Sequence, residues 1–219
     1  MPDGYAVVAH HQTQGRGQRN NTWTDVAGKS LLFSVAGRPA ASLIQQPLLS
    51  FGIAVAIAES LEKMFGLREL SLKWPNDLML SGRKLGGILI ENSLRGSDWQ
   101  LAVIGVGINL LPTPAGEGFR TPPAFLAAHT PVPIDAAKLV LALQAAIASC
   151  ITQPLPADLL QRYNNRLYRR GKTQTFETKG SRWQGTVESA MADGRLLVNR
   201  DGESRLCLHG HDLWIPEGP

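Results

Sequence analysis

The sequence is poor in cysteine, in long apolar runs and in repetition, and each shortage removes a class of function. Its two cysteines, Cys150 and Cys207, lie far apart and belong to no CxxC pair or Cys/His cluster. That argues against a zinc site and fits a reducing cytoplasm. No apolar run approaches the roughly 18 residues needed to span a bilayer. The start, Met1-Pro2-Asp3-Gly4, has neither the basic residues nor the apolar stretch of a secretory signal. A cytoplasmic protein without a membrane partner is therefore expected, and the sequon at Asn20-Asn21-Thr22 carries no weight. No internal repeat or low-complexity tract is visible.

What is present is an ordinary globular composition. The 219 residues, 43% hydrophobic and 18% charged, can bury one substantial core and a small second module. The net charge of +4 suits an anionic ligand or partner. Much of the excess sits in Arg162, Arg166, Arg169, Arg170, Lys172 and Lys179, with Glu177 as the single acid in that stretch. It lacks the interleaved aromatic residues of a single-strand-binding surface. It reads as a solvated helix end whose cations complement terminal carbonyls, and nucleic acid is not expected as a partner.

The pattern of apolar residues divides the chain. Tyr5–Ala9 and Leu31–Val35 read as strands. Pro47 opens a helix with Leu49, Ile53, Ala56, Ile57, Leu61 and Met64 on one face, ending near Gly66. Ser71–Trp74 is a strand ended by Pro75. Leu78–Leu80 and Lys84–Glu91 flank a hairpin turn at Ser81-Gly82-Arg83, and Trp99–Leu110 is a strand with close backbone approach at Gly105 and Gly107. Pro112–Pro133 reads as an irregular connection. Asp135 caps a helix to about Ile151, and Ala157–Tyr168 forms another. Four short strands follow, at Thr173–Thr178, Arg182–Ser189, Leu196–Asn199 and Ser204–Leu208, with turns at Asp193-Gly194 and Asp201-Gly202. They suggest a small barrel, and the domain break belongs near Arg170.

Four motifs carry candidate chemistry. In Gly15-Arg16-Gly17-Gln18-Arg19, glycines let backbone N–H groups approach an anion and arginines supply forked donors. No Gly-Lys-Ser/Thr follows, so this is not a Walker loop, and no third glycine opens a helix. In Lys73-Trp74-Pro75-Asn76-Asp77, the proline turns the chain and groups a cation, an amide and a carboxylate. These suit phosphate and either Mg²⁺ or an amine. Arg83-Lys84-Leu85-Gly86-Gly87-Ile88-Leu89-Ile90-Glu91 starts an apolar strand with a lysine beside two glycines. Gly105-Val106-Gly107-Ile108-Asn109 ends a buried strand in small residues and an amide. Each motif alone is explained as well or better by a surface turn, a solvated lysine or tight packing.

In this order and spacing, Gln12–Gly17, Lys73–Asp77, Lys84–Ile88 and Gly107–Asn109 together resemble one family, the biotin–protein ligases. The resemblance runs from about Gly4 to Leu110, with a weaker echo beyond. It implies an α+β fold: a mixed sheet flanked by helices, as in class II aminoacyl-tRNA synthetases, forming a catalytic domain over residues 1–170. A small SH3-like β-barrel over residues 171–219 would follow. It implies ATP and biotin as substrates with Mg²⁺, formation of biotinyl-5'-AMP, and transfer to a lysine of a biotin carboxyl carrier protein. Arg16, Lys84 and Asp77 are then the catalytic candidates, with Asp77 also the candidate Mg²⁺ ligand. Biotin would meet Gln12, Gly15, Arg16, Gly17, Gln18, Lys84, Gly86 and Gly87. ATP would meet Arg19, Trp23, Lys73, Asn76 and Asn109. Monomer and homodimer both remain open.

Two departures from the family pattern stand out. Gln18 occupies a place where many members carry a further arginine, which bears on release of the adenylate. Members also run further upstream, through a strand and a Ser/Thr-Asn segment that binds biotin's ureido ring. The chain as written is expected to lack that clamp, and a missing strand would leave a sheet edge open. No helix-turn-helix precedes the motifs, so no repressor function is expected. A non-catalytic biotin or nucleotide binder of the same fold, and a lipoate–protein ligase, are the competing readings.

Overall fold

A computed structural model describes residues 3–18, 22–113 and 122–215. Strand β1 (Tyr5–Ala9) leads to a short hairpin, β2 (Gly15–Arg16) and β3 (Thr22–Trp23), and then to β4 (Ser30–Gly37). Helix α1 (Gln46–Phe65) is followed by β5 (Leu70–Lys73), β6 (Asp77–Leu80) and the long arms β7 (Arg83–Arg95) and β8 (Asp98–Asn109). Helices α2 (Ala136–Thr152) and α3 (Leu159–Asn165) precede β9 (Thr173–Thr178), β10 (Ser181–Ala190), β11 (Leu196–Arg200), β12 (Glu203–Cys207) and β13 (Asp212–Trp214).

The fold is α+β. Six strands form the main sheet in the order β1-β4-β8-β7-β6-β5. Neighbouring strands in it are antiparallel. The parallel component of the expected mixed sheet is confined, among the described residues, to one bridge between Leu72 and Leu167. One face of the sheet packs on helices. Leu31, Phe33 and Val35 of β4 and Ile104, Val106 and Ile108 of β8 join Leu49, Ile53, Ile57 and Leu61 of α1 and Leu139, Leu143 and Ile147 of α2 in one core. Each such side chain contributes about 1.5–3 kcal/mol on burial. Because side chains alternate along a strand, Leu32, Ser34, Gly105 and Gly107 face the other way, and there the sheet becomes the floor of a cleft.

The helices begin and end as their sequences require. Pro47 lies in the first turn of α1, where its missing N–H costs nothing. Asp135 caps α2, its Oδ1 accepting the Lys138 N–H at 3.0 Å. The third helix is shorter than the expected Ala157–Tyr168. Its last residues leave the helix because β5 recruits their backbone: Leu72 N–H donates to Arg166 O at 2.8 Å and Tyr168 N–H to Leu72 O at 2.9 Å.

Two arginines of the basic stretch are engaged in ion pairs. Arg162 bonds Glu59 at 2.6 Å, and Arg166 bonds Glu62 at 3.0 Å, tying α3 to α1. The carboxylates lie about a hundred positions upstream, so a local reading of charge could not pair them.

The C-terminal strands form a separate five-stranded sheet, β12-β11-β10-β9-β13. β13, three residues long, is too short to show an alternation and was not anticipated; it pairs with β9. This unit is anchored to the larger one by Trp74, whose Nε1–H donates to Gly194 O at 2.8 Å. Asn164 adds a second anchor by bonding both backbone groups of Ala190. In the connection expected to be irregular, Leu126–Ala128 makes a single 3-10 turn.

Candidate active site

Strand register assembles three of the four motifs into one row. Lys73 pairs with Asp77, Asp77 with Gly87, Gly87 with Gly107 and Gly107 with Leu32. Residues 4, 10, 20 and 75 positions apart in the chain thus lie side by side, at successive strand spacings of roughly 4.8 Å. A cation and a carboxylate stand at one end of the row, and two glycines leave its middle flat. Lys84 enters from β7, with its Nζ 2.6 Å from Asp77 Oδ1.

The first motif closes over this floor. β2 and β3 form a two-stranded ribbon outside the main sheet. Its Trp23 ring lies directly on Gly107: a Cβ there would fall 2.7 Å from Trp23 Cζ2. At the other end Arg16 reaches Glu91 of β7, two rows away, with Nη1–Oε1 at 3.2 Å and Nη2–Oε2 at 3.3 Å. Between these two attachments runs the Leu89–Gly105–Ser34 row. The ribbon's base is held by Asp25, which accepts from Gln12 N–H at 3.3 Å and lies 3.0 Å from His11 Nδ1.

Together these walls bound a cleft of about 470 Å³, a volume suited to a small-molecule substrate. The C-terminal unit supplies the far wall through His209, Asp212, Leu213 and Trp214. Trp214 faces Lys73, whose Nζ lies 5.3 Å from the ring centroid. His209 meets Trp74 edge-on at 5.8 Å. Burial pulls the Lys73 ammonium below its ordinary pKa; Asp77 opposes that shift and Lys84 adds to it. Asp212 is held below the usual carboxylate range. Burial pushes it up, but hydrogen bonds from Thr178, the Leu208 N–H and Arg205 outweigh burial.

Of the residues singled out from the sequence, Gln12, Arg16, Gly17, Gln18, Trp23, Lys73, Asn76, Asp77, Lys84 and Gly87 line the cleft. Arg19 lies outside the described residues. Gly15, Gly86 and Asn109 are not among the residues that line the cleft. Gly15 and Gly86 serve backbone packing: a Cβ on Gly15 would sit 2.5 Å from Trp23 O, and one on Gly86 2.4 Å from Gly107 O. Asn109 is buried behind the floor, its amide shared between Lys84 O and Ala124 O at 3.3 Å each. It supports the Lys84 backbone and forms no part of the wall.

Asn76 is likewise tied down, its Nδ2 donating to Ile88 O at 2.6 Å. Asp77, the expected Mg²⁺ ligand, is occupied by Lys84. Among the described residues no three His, Cys, Asp or Glu side chains converge to hold a metal. The donor set does not make a resident metal site. Among the described residues the buried Trp23 Nε1–H has no hydrogen-bond partner.

Glu91 and the C-terminal wall were not assigned roles from sequence. A signal for Glu91 existed: it follows Gly87 and Leu89 at alternate positions, so the strand's period of two already places it on their face. His209, Asp212, Leu213 and Trp214 carried no comparable local signal.

Comparisons with known proteins bear on the family and the fold. Residues 1–109 match the profile of the biotin/lipoate A/B protein ligase family. The bifunctional ligase/repressor BirA of Bacillus subtilis (strain 168) is 36% identical over 109 residues, 50% of this chain and 33% of that one. The biotin–[acetyl-CoA-carboxylase] ligase of Paracoccus denitrificans is 35% identical over 133 residues, 59% of this chain and 55% of that one. The chain thus spans between a third and just over half of these relatives. In structure it resembles the biotin protein ligase from Aquifex aeolicus in complex with biotin and ATP. The TM-score is 0.80 at 22% identity, covering 99% of this chain and 91% of that one, a likeness of fold.

Proposed function

Since the chain belongs to the biotin/lipoate A/B protein ligase family, we propose that it joins biotin to protein in two steps, the first of which consumes ATP. In the first, a biotin carboxylate oxygen attacks the α-phosphorus of ATP and pyrophosphate leaves. In the second, the ε-amine of a lysine on a biotin carboxyl carrier domain attacks the acyl carbon of biotinyl-5'-AMP. AMP then leaves and the amine gives up a proton.

The observation that carries this reading is the convergence of Arg16, Lys73 and Lys84 on one cleft floored by glycine. Two anions must meet for the first step, and negative charge gathers on the phosphate oxygens in the transition state. Preorganised cations offset both effects. Arg16 is assigned to the carboxylate of biotin, Lys84 to that carboxylate and the α-phosphate, and Lys73 to the ATP phosphates. Gln12, Gly17, Gln18 and Gly87 bound the biotin side, while Trp23 and Asn76 border the nucleotide. Mg²⁺ enters as the counter-ion of ATP and so belongs to the substrate. Asp77 holds the Lys84 ammonium over the row until substrate anions replace it. Residues 1–170 are read as the catalytic unit and 171–219 as the unit that completes its wall.

Biotin-dependent exchange of labelled pyrophosphate into ATP tests the first step, and labelling of a carrier domain tests the second. Exchange with biotin is expected. Exchange with lipoate and not biotin would move the chain to the other branch of the family. Biotin binding without exchange would make it a non-catalytic binder, and neither binding nor exchange would remove the reading.

A further inference from the structure

The cations of the cleft are largely neutralised within the protein: Lys84 by Asp77 at 2.6 Å, and Arg16 by Glu91 through a two-pronged contact at 3.2 and 3.3 Å. The second pair is the unusual one. Asp77 and Lys84 stand on adjacent strands of one sheet, whereas Arg16 and Glu91 belong to different substructures. Arg16 sits on the ribbon, which shares no backbone ladder with the six-stranded sheet, and Glu91 sits on the floor. The ribbon therefore bridges the cleft between two attachments, Trp23 on Gly107 and Arg16 on Glu91.

A forked guanidinium–carboxylate contact has the geometry that Arg16 would use for a ligand carboxylate. Both partners are substantially exposed, 74% for the Arg16 side chain and 49% for Glu91. The pair is therefore weak enough to exchange.

We propose that Glu91 is a positioning residue that acts as an internal competitor, holding Arg16 across the cleft with a carboxylate that the carboxylate of the substrate must displace. The inference rests on the ligase reading, because it takes the ligand to be a carboxylic acid. Glu91 itself neither reacts nor needs to touch the substrate. It fixes where Arg16 waits and discriminates against ligands without a carboxylate, which cannot displace it. Once a carboxylate takes its place, the ribbon loses its attachment to β7 and is held instead through the ligand.

Calorimetry on the full chain tests this with wild type, Glu91→Gln and Glu91→Asp against biotin and against biotinamide, its neutral counterpart. Removing an exposed competing charge should tighten biotin by about two- to five-fold in Glu91→Gln. Biotinamide binding should stay unchanged, and Glu91→Asp should fall back towards wild type. Hydrogen exchange in the ligand-free protein should quicken at the Arg16 and Thr22 amides in Glu91→Gln. Equal or weaker biotin binding by Glu91→Gln, or equal tightening of biotinamide, would overturn the inference while leaving the ligase reading intact. Failure of every form to bind biotin would overturn both.

Discussion

Gly86 and Gly87 are neighbours in one motif, yet the structure gives their methyl groups opposite consequences. A Cβ on Gly86 would lie 2.4 Å from the Gly107 carbonyl oxygen and 3.3 Å from Ile108 Cγ1. Carbon and oxygen on adjacent strands ordinarily keep about 3.3–3.6 Å, so β7 and β8 must separate by roughly 1 Å. The obstacle is backbone, and no rotamer relieves it. Overpacking of this kind costs about 1–3 kcal/mol, partly offset by about 0.4–1 kcal/mol from stiffening the unfolded chain. At about 2–4 °C per kcal/mol for a chain of this size, Gly86→Ala should melt several degrees below wild type.

A Cβ on Gly87 would instead meet Asp77 Oδ1 at 3.5 Å and Lys84 Cε and Nζ at 3.6 Å, ordinary contacts. Gly87→Ala should therefore melt within about 0.5 kcal/mol of wild type. Its methyl would nonetheless stand on the cleft floor against Asp77 and Lys84, where, on the proposed reading, a misplacement of about 1 Å can cost on the order of 100-fold in rate. Scanning calorimetry and pyrophosphate exchange on the two variants read these effects separately. A Gly86→Ala protein as stable as wild type would refute the close approach of β7 and β8. A Gly87→Ala protein with full exchange would refute the placement of the floor.

Three further outcomes can be checked. Lys84→Gln should lower the pyrophosphate exchange rate by roughly 10²–10³; a loss under tenfold would remove Lys84 from the phosphate role. Asp212 is held below its ordinary value of 3.8, so its stabilising effect is present above that value and lost as pH falls through its lower folded value. Asp212→Asn should then be less stable than wild type at neutral pH, with the gap closing below pH 3.8, as read by denaturant titration across pH; a gap independent of pH would contradict the assignment. Burial pushes the Cys150 thiol up to about 11, with Arg162 opposing, and burial with the nearby Asp212 pushes Cys207 up to about 12. Alkylation followed by mass spectrometry should therefore be slow at pH 8 and quicken steeply towards pH 11.

Much of the fold was legible because its signals are local. The apolar period of α1, the Asp135 cap and the Ser81-Gly82 turn each lie within a few residues and appear where expected. Elements whose ends depend on distant partners were misjudged: α3 stops early because Leu72 takes the backbone of Arg166 and Tyr168, and β13 exists because β9 offers it an edge.

The same division runs through the site. The order and spacing of Gln12–Gly17, Lys73–Asp77, Lys84–Ile88 and Gly107–Asn109 determine the family without any coordinates, since that spacing is a property of the chain. The sequence also places Lys73 at a strand end and Lys84 beside Gly86 and Gly87. Only the tertiary structure decided that Lys73, Asp77, Gly87 and Gly107 form one row, that Gly86 serves packing while Gly87 serves the cleft, and that Glu91 faces Arg16. It alone decided that Trp214 closes the wall over Lys73. The reason is physical: register between strands is set by ladder hydrogen bonds and by which face the core buries. Those choices are made between residues remote in the chain, where no local pattern records them.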